Sequence, residues 1–208
     1  MHDNDELQEL EELICKANGM NEFVSTFNLI DKIVKNGNLS IRSCSAGSLD
    51  PNQKNQIFNI LKSNMQQLYD AEKSWGWNDN DKSKELFSSR SKFLVVIDNS
   101  KSNLIISFAM FKFEYDDEEE PEHPVLFCYE VQIDKSYQQQ GIGRILMDNL
   151  LSISKQTNMW KVMLTCFKSN ENALKFYSKI GFGIDSNSPS SHGHLAPYEI
   201  LSDKPKLK

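Results

Sequence analysis

Between Val125 and Ile133, nine residues carry a single charge, Glu130. A carboxylate inside an apolar run is costly to bury ionised, and burial raises its pKa, which makes Glu130 a candidate base. A short polar turn follows, containing Gln138-Gln139-Gln140-Gly141-Ile142-Gly143-Arg144. Beyond it Ile142, Ile145, Leu146, Leu150 and Ile153 recur at helical spacing. A glycine turn between a buried strand and a helix presents backbone N–H groups and the positive end of the helix dipole. That is an anion site, and a pyrophosphate suits it best. The third glycine of a dinucleotide fingerprint is absent, because Leu146 stands there, and the Gly-Lys-Ser/Thr of a P-loop is absent as well.

The elements that must hold these residues are legible on either side. Val125–Ile133 is apolar on both faces, as a central strand buried on both sides would be. A second strand over Lys161–Phe167 and a helix over Glu171–Ile180 follow the first helix at the spacing of a strand–helix–strand unit. Upstream, Leu7, Leu10, Leu13 and Ile14 form one stripe of a helix over Glu6–Lys16. A weaker helical stretch is expected over Phe23–Val34, closed by an Asn36-Gly37-Asn38 turn, and a first strand over Leu39–Ser45. Asp50-Pro51 caps and opens a helix carrying Ile57, Ile60, Leu61 and Met65 and reaching Tyr69. Phe93–Asp98 and Leu104–Tyr115 read as a hairpin, and Tyr198–Leu201 as a last strand.

At 208 residues the chain is long enough for one domain with a single core. Its formal net charge of −6 disfavours nucleic acid and anionic membranes as partners. The four cysteines are scattered without a CxxC pair, and Cys128 and Cys166 read as reduced, buried thiols. No leader and no run of 18 apolar residues is evident, so a cytoplasmic or nuclear protein is expected. His192 and His194 lie close together in a Ser/Gly-rich loop, and no metal site is expected. Seven carboxylates crowd the nine residues from Glu114 to Glu122. Asp117–Glu122 reads as a solvated loop, whereas Glu114 and Asp116 close a strand beside Val125–Ile133 and belong near the site.

Gln138-Gln139-Gln140-Gly141-Ile142-Gly143 resembles the Q/R-x-x-G-x-G/A pyrophosphate loop of the GNAT acetyltransferases. Ser169-Asn170-Glu171-Asn172-Ala173-Leu174-Lys175-Phe176-Tyr177, ending in Gly181-Phe182, is similar to their later S-N-x-x-A-x-x-[LF]-Y…GF pattern. Within that superfamily, Asn64-Met65-Gln66 with Tyr69, then Trp75-Gly76-Trp77, resembles the NatD family, which acetylates the N-terminal serine of histones H4 and H2A. Cys128-Tyr129-Glu130-Val131-Gln132, Lys161–Thr165, Ser188-Pro189-Ser190 and Tyr198–Ser202 extend that likeness from about Leu39 to Ser202.

The resemblance implies an α/β GNAT fold: a mixed central sheet with splayed parallel strands, flanking helices and an N-terminal helical extension. The expected division is an extension over 1–38, an acetyltransferase domain over 39–202 and a basic tail over 203–208. It implies acetyl-CoA as donor, held by the backbone of Val131, Gln132 and Ile133, by Gln139, Gln140, Gly141, Ile142, Gly143 and Arg144, and by Asn170. Glu130 is then the general base. Tyr177 stands where many GNATs place the acid for the CoA sulfur, although NatD relatives carry phenylalanine there. Tyr69, Trp75, Tyr129, Thr165 and Tyr198 correspond to a cage around a first serine, and Glu114 and Asp116 to the pair meeting the arginine of Ser-Gly-Arg-Gly. Two departures stand out: one extra residue between Tyr69 and Trp75, and Phe127 where relatives can carry tyrosine. The expected protein is a monomer acting on basic N-terminal histone peptides. Its rivals are a GNAT for another amine, such as a lysine side chain or a polyamine, and a non-catalytic acyl-CoA-binding module.

Overall fold

The computed structural model describes residues 4–30, 38–72, 75–117 and 123–204. Seven strands form one mixed sheet in the order β1-β2-β3-β4-β5-β7-β6. The strands are β1 Leu39–Ser45, β2 Lys92–Asp98, β3 Leu104–Tyr115, β4 Pro124–Ile133, β5 Val162–Phe167, β6 Gly183–Ile184 and β7 Tyr198–Asp203. The helices are α1 Asn4–Gly19, α2 Pro51–Ala71, α3 Asp79–Leu86, α4 Ile142–Gln156 and α5 Glu171–Ile180. The described residues fall into two compact units, one drawn from Met1–Met20, Lys112–Tyr129 and Leu150–Lys208, the other from Asn21–Phe111 and Glu130–Asn149.

In the second of these units, β1 pairs antiparallel with β2 from Leu39↔Asp98 to Ser45↔Lys92. Strand β2 pairs antiparallel with β3, with a register shift between Val96 and Ile97. Phe93, Leu94, Val96, Ile106, Phe108 and Phe111 are fully buried there, and β2 is buried along its whole length, as apolar residues on a sheet covered on both faces should be. Helix α2 opens on a reciprocal capping box: Gln53 N donates to Asp50 Oδ1 at 2.9 Å, and Asp50 N donates to Gln53 Oε1 at 3.0 Å. It buries Ile57, Ile60, Leu61 and Tyr69. Helix α3 was not anticipated from the residues. Asn78 caps it, accepting from the amides of Asn80 and Asp81, with Asp79 and Asp81 in its first turn.

The helix expected over Phe23–Val34 is corrected in its described part, which is a run of turns. Asn28 sits at φ 49°, in the left-handed region, and the amides of Phe23 and Val24 donate to Ser43 Oγ instead of starting a helix. The segment is held by buried Phe23 and Leu29, and by Asn149, whose amide both accepts from Ile30 N (3.1 Å) and donates to Ile30 O (3.0 Å). Residues 31–37, with the rest of the expected helix and most of its closing turn, lie outside the described residues, as do 118–122 of the acidic run and 205–208 of the basic tail.

In the other unit, β4 pairs parallel with β5 over only Leu126↔Val162, Phe127↔Met163 and Cys128↔Leu164. The ladder ends there although β4 extends to Ile133 and β5 to Phe167. Strand β5 pairs antiparallel with β7 from Val162↔Asp203 to Phe167↔Tyr198. Helix α5 ends at Gly181, whose φ of 109° only glycine takes at low cost, and Phe182 N donates to Tyr177 O across that cap. Lys161 and Asp185 form a buried ion pair at 2.8 Å. Cys128 and Cys166 are buried, and burial raises the Cys166 thiol to about 11. Among the described residues no helix is long and apolar enough to cross a membrane.

Candidate active site

The glycine turn is built as the sequence implied. Gln139 and Gly141 take left-handed backbone, at φ 59° and 86°, and α4 begins at the next residue. Ile145 N donates to Gly141 O at 3.2 Å, so the amides just before it precede the helical ladder. A Cβ placed on Gly141 would meet no protein atom within 4 Å, so the turn's backbone borders open space. The approach to the turn is tied down: Tyr137 OH donates to Asp98 Oδ2 at 2.7 Å, Lys101 Nζ donates to Tyr137 OH at 2.8 Å, and Gln138 Nε2 donates to Ile133 O at 3.1 Å. Arg144, on the first turn of α4, pairs with Asp148 one turn later at 3.1 Å. Both are exposed, so the pair is weak and can be exchanged for another anion.

Glu130 lies deep among protein atoms while part of its surface remains accessible. Burial pushes its carboxyl up from an ordinary 4.5 to about 7. A hydrogen bond from Gln132 Nε2 to Glu130 Oε2, 2.7 Å, and the charge of Lys82 pull against that rise, while Glu85 adds to it. Asn64 Nδ2 donates to Gln132 Oε1 at 3.1 Å and to Ile133 O at 3.0 Å. Lys82 Nζ donates to Tyr69 OH at 2.9 Å and pairs with Glu85 at 2.8 Å. Burial, with the charge of Glu130 adding to it, raises the Tyr69 phenol. The ring of Tyr69 packs against Trp75 and Trp77, with centroids at 5.9 and 5.6 Å, and Trp75 keeps 45% of its surface exposed. Tyr69 thus lies within electrostatic reach of Glu130 and packs its ring against Trp75. Lys82, Glu85 and the side chains of Asn64 and Gln132 join them without having been singled out.

In the other unit, Tyr129 OH donates to Glu114 Oε2 at 2.8 Å, and Lys112 Nζ lies 4.2 Å from the centre of the Tyr129 ring. Asp116 is engaged differently. Its Oδ1 accepts from His123 N at 2.9 Å, its Oδ2 lies 3.4 Å from His123 Nδ1, and its own amide donates to His123 O, so it closes the base of the acidic loop. Phe127 packs its ring 5.0 Å from Tyr129. Thr165 is exposed on β5 and Tyr198 half-buried on β7; the pairs Thr165↔Ile200 and Phe167↔Tyr198 place both on one face of this strand pair. Asn170 caps α5, accepting from Ala173 N at 3.3 Å, and the Tyr177 ring packs between Phe176 and Phe182.

The sequence profile of the Acetyltransferase (GNAT) family matches residues 56–182, a span that contains Glu130, the glycine turn, Asn170 and Tyr177. The chain belongs to this family. Solved GNAT-type structures share its fold. PaiA N-acetyltransferase from Thermoplasma acidophilum in complex with coenzyme A is similar at 14% identity over 80% of this chain and 98% of that one, with a TM-score of 0.56. Ard1 from Thermoplasma volcanium is similar at 16% identity over 82% and 99%, with a TM-score of 0.55. The ribosomal-protein-S18-alanine N-acetyltransferase of Escherichia coli is similar at 16% identity over 82% and 96%, with a TM-score of 0.53.

The protein is therefore an acetyl-CoA-dependent acetyltransferase of GNAT type. Its residues fit that donor. The left-handed turn leaves open space at Gly141, immediately ahead of the start of α4, where a pyrophosphate would be held. Arg144 adds a cation on the same turn. The carbonyls of Gln132 and Ile133 already accept from Ser107 Oγ (2.8 Å) and from Asn64 and Gln138, which narrows the β4 backbone groups available to a pantetheine arm.

Proposed function

We propose that this GNAT enzyme is a protein N-terminal acetyltransferase of NatD type, acting on the α-amino group of an N-terminal serine in Ser-Gly-Arg-Gly ends like those of histones H4 and H2A. The observation that carries this reading is Glu130 at about 7, beside the aromatic wall of Tyr69, Trp75 and Trp77. An N-terminal α-amine has a pKa of about 7.7–8.0, so its proton passes to a base near 7 at a cost of roughly 1 kcal/mol. The same transfer to an ordinary glutamate at 4.5 would cost about 4.5 kcal/mol. A lysine side chain at about 10.4 would be mismatched by several units more, which favours an α-amine.

Acetyl-CoA, when bound, supplies an acetyl thioester whose C–S bond is exchanged for a C–N bond. The turn over Gln139–Arg144 holds the pyrophosphate, with Asn170 a further contact. Glu130 accepts the proton that the amine loses. Tyr177 is the candidate to return one to the sulfur, and the phenylalanine of NatD relatives makes that role dispensable. Tyr69 and Trp75 are assigned to the first residue, and the NatD resemblance gives Tyr129, Thr165 and Tyr198 the same role. Glu114, with Asp116, meets the arginine at position three, whose planar fork matches carboxylates. The substrate is then a basic peptide, in keeping with a chain of net charge −6, and a monomer in the cytosol or nucleus suffices.

The test is the position of the acetyl group. Tandem mass spectrometry of Ser-Gly-Arg-Gly-Lys peptide after incubation with acetyl-CoA should find acetyl on the α-amine. Acetyl on lysine would instead support a GNAT for another amine. No transfer to any peptide or polyamine would leave a binding module.

A further inference from the structure

We propose that Asn64 and Gln132 form a positioning relay that orients the carboxylate of Glu130 and favours its ionised form. The proposal rests on the reading of Glu130 as the base and adds to it two residues with no other assigned role for their side chains. A glutamine amide has a donor end and an acceptor end of nearly the same shape, and its neighbours decide which way it points. Here Asn64 decides. One N–H of its amide meets Gln132 Oε1 and the same nitrogen meets Ile133 O, at 3.1 and 3.0 Å. With its oxygen held by a donor, Gln132 must present N–H to Glu130, and it does so at 2.7 Å. Gln132 is itself buried, at 7% exposure, and Ser107 Oγ donates to its main-chain carbonyl at 2.8 Å, which anchors the backbone that carries the amide.

The other groups facing Glu130 act in opposed senses. Lys82 on α3 favours the carboxylate, Glu85 on α3 disfavours it, and Lys82 is shared between Glu85 and the Tyr69 hydroxyl on α2. Among the influences opposing burial, the hydrogen bond from Gln132 is stronger than the charge of Lys82. A chain of hydrogen bonds ending on a carboxylate is also polarised along its length. Asn64 opens the Asn64-Met65-Gln66 motif and Gln132 closes the Tyr129–Gln132 motif, so the relay joins two stretches far apart in sequence.

The test uses Gln132→Met, which keeps length and apolar bulk and removes the amide. In that variant the enzyme's acid limb in kcat/KM against pH should move up by about one pH unit. Activity at about pH 6.5 should fall by about tenfold and recover to within about twofold near pH 9.5, with acetyl-CoA affinity unchanged. Asn64→Leu should reproduce the shift in part, and it keeps the test available if Gln132→Met does not fold. The ¹³C carboxyl resonance of Glu130, titrated in the full chain, should show the same displacement. A loss equal at every pH, with an unmoved Glu130 titration, would reduce both residues to structural props and overturn the relay. If instead Glu130→Gln is as active as wild type, the base assignment falls. The Glu130 titration in Gln132→Met still decides separately whether the relay sets its protonation.

Discussion

Glu130 and Glu199 are both strand glutamates set among protein atoms, and they are held in opposite states. Around Glu199, Ser188 donates at 2.6 Å, Ser190 donates as well, and Lys168 pairs at 3.1 Å. Burial alone would raise its carboxyl, but those three partners outweigh it and hold the group below its usual range. Around Glu130, burial dominates and the strongest opposing partner is a neutral amide, so the group sits at about 7. The difference teaches that two things separate the pair. Glu130 lies far deeper among protein atoms, and its strongest donor is one neutral amide where Glu199 has two hydroxyls and an ammonium, so Glu199 is held as an anion while Glu130 is left able to take a proton.

The largest expected effect breaks the comparison on the Glu130 side. Glu130→Gln should lower kcat by about 10²–10⁴-fold while leaving acetyl-CoA affinity unchanged by calorimetry. It should also raise stability above neutral pH. The folded-state pKa is about 7 and the unfolded one near 4.5, so the wild-type fold bears the cost of a buried charge fully above 7 and loses that cost as pH falls toward 4.5. The Tm gain of the variant should shrink over the same interval, and a gain independent of pH would show that folding does not shift the Glu130 carboxyl.

Glu114→Ala comes next and asks whether a third strand carboxylate has a substrate role. A partly desolvated contact to a guanidinium is worth roughly 1.5–3 kcal/mol. Loss of kcat/KM for Ser-Gly-Arg-Gly should therefore be about 10–150-fold, with much less lost for the same peptide carrying alanine third. Asp116→Ala should act less selectively, because Asp116 already holds His123. Equal losses on both peptides would remove Glu114 from recognition.

Gly141→Val tests the cradle independently of either glutamate. A β-branched residue at φ 86° costs about 1–3 kcal/mol in backbone strain and projects into the space the turn leaves open. Acetyl-CoA affinity should fall by at least about tenfold in a folded variant, and unchanged calorimetry would reject the phosphate turn. Glu199→Gln should have the smallest effect on turnover. It should instead lower Tm at neutral pH, with the loss fading as acid protonates Glu199 in the wild type; a large kcat defect at full stability would show that Glu199 belongs to the chemistry.

Much of this was legible in the sequence because local chemistry carried it. Asp50 with Pro51 announced α2, the glycines with the 3.6-residue apolar period announced the turn and α4, and one charge in an apolar strand announced Glu130. Helix α3 was not legible, since Asp79–Leu86 has a single apolar residue, Leu86, and no periodicity; Asn78 followed by acidic residues was the available cue. Phe23–Val34 misled because Phe23 and Leu29 are apolar for burial under a string of turns, with Asn28 left-handed between them. The Lys82–Glu85 pair lies within one helix and was missed together with α3 itself. The Asn64–Gln132 bond could not be read at all, because it forms only when α2 and β4 are packed, and no local pattern encodes a contact between residues 68 apart.

The most direct test of the base is the slope of log kcat/KM against pH, with Ser-Gly-Arg-Gly as substrate. In the wild type the ionised Glu130 takes the proton of the α-ammonium, so only Glu130 must lose a proton beforehand: the slope should be one below about 7 and level off between 7 and the amine's value near 8. In Glu130→Gln the amine itself must already be neutral, so the slope of one should continue up to about 8. A wild-type limb that breaks near 8 instead of near 7, or a limb that does not move in the variant, would contradict Glu130 as the group that takes the proton.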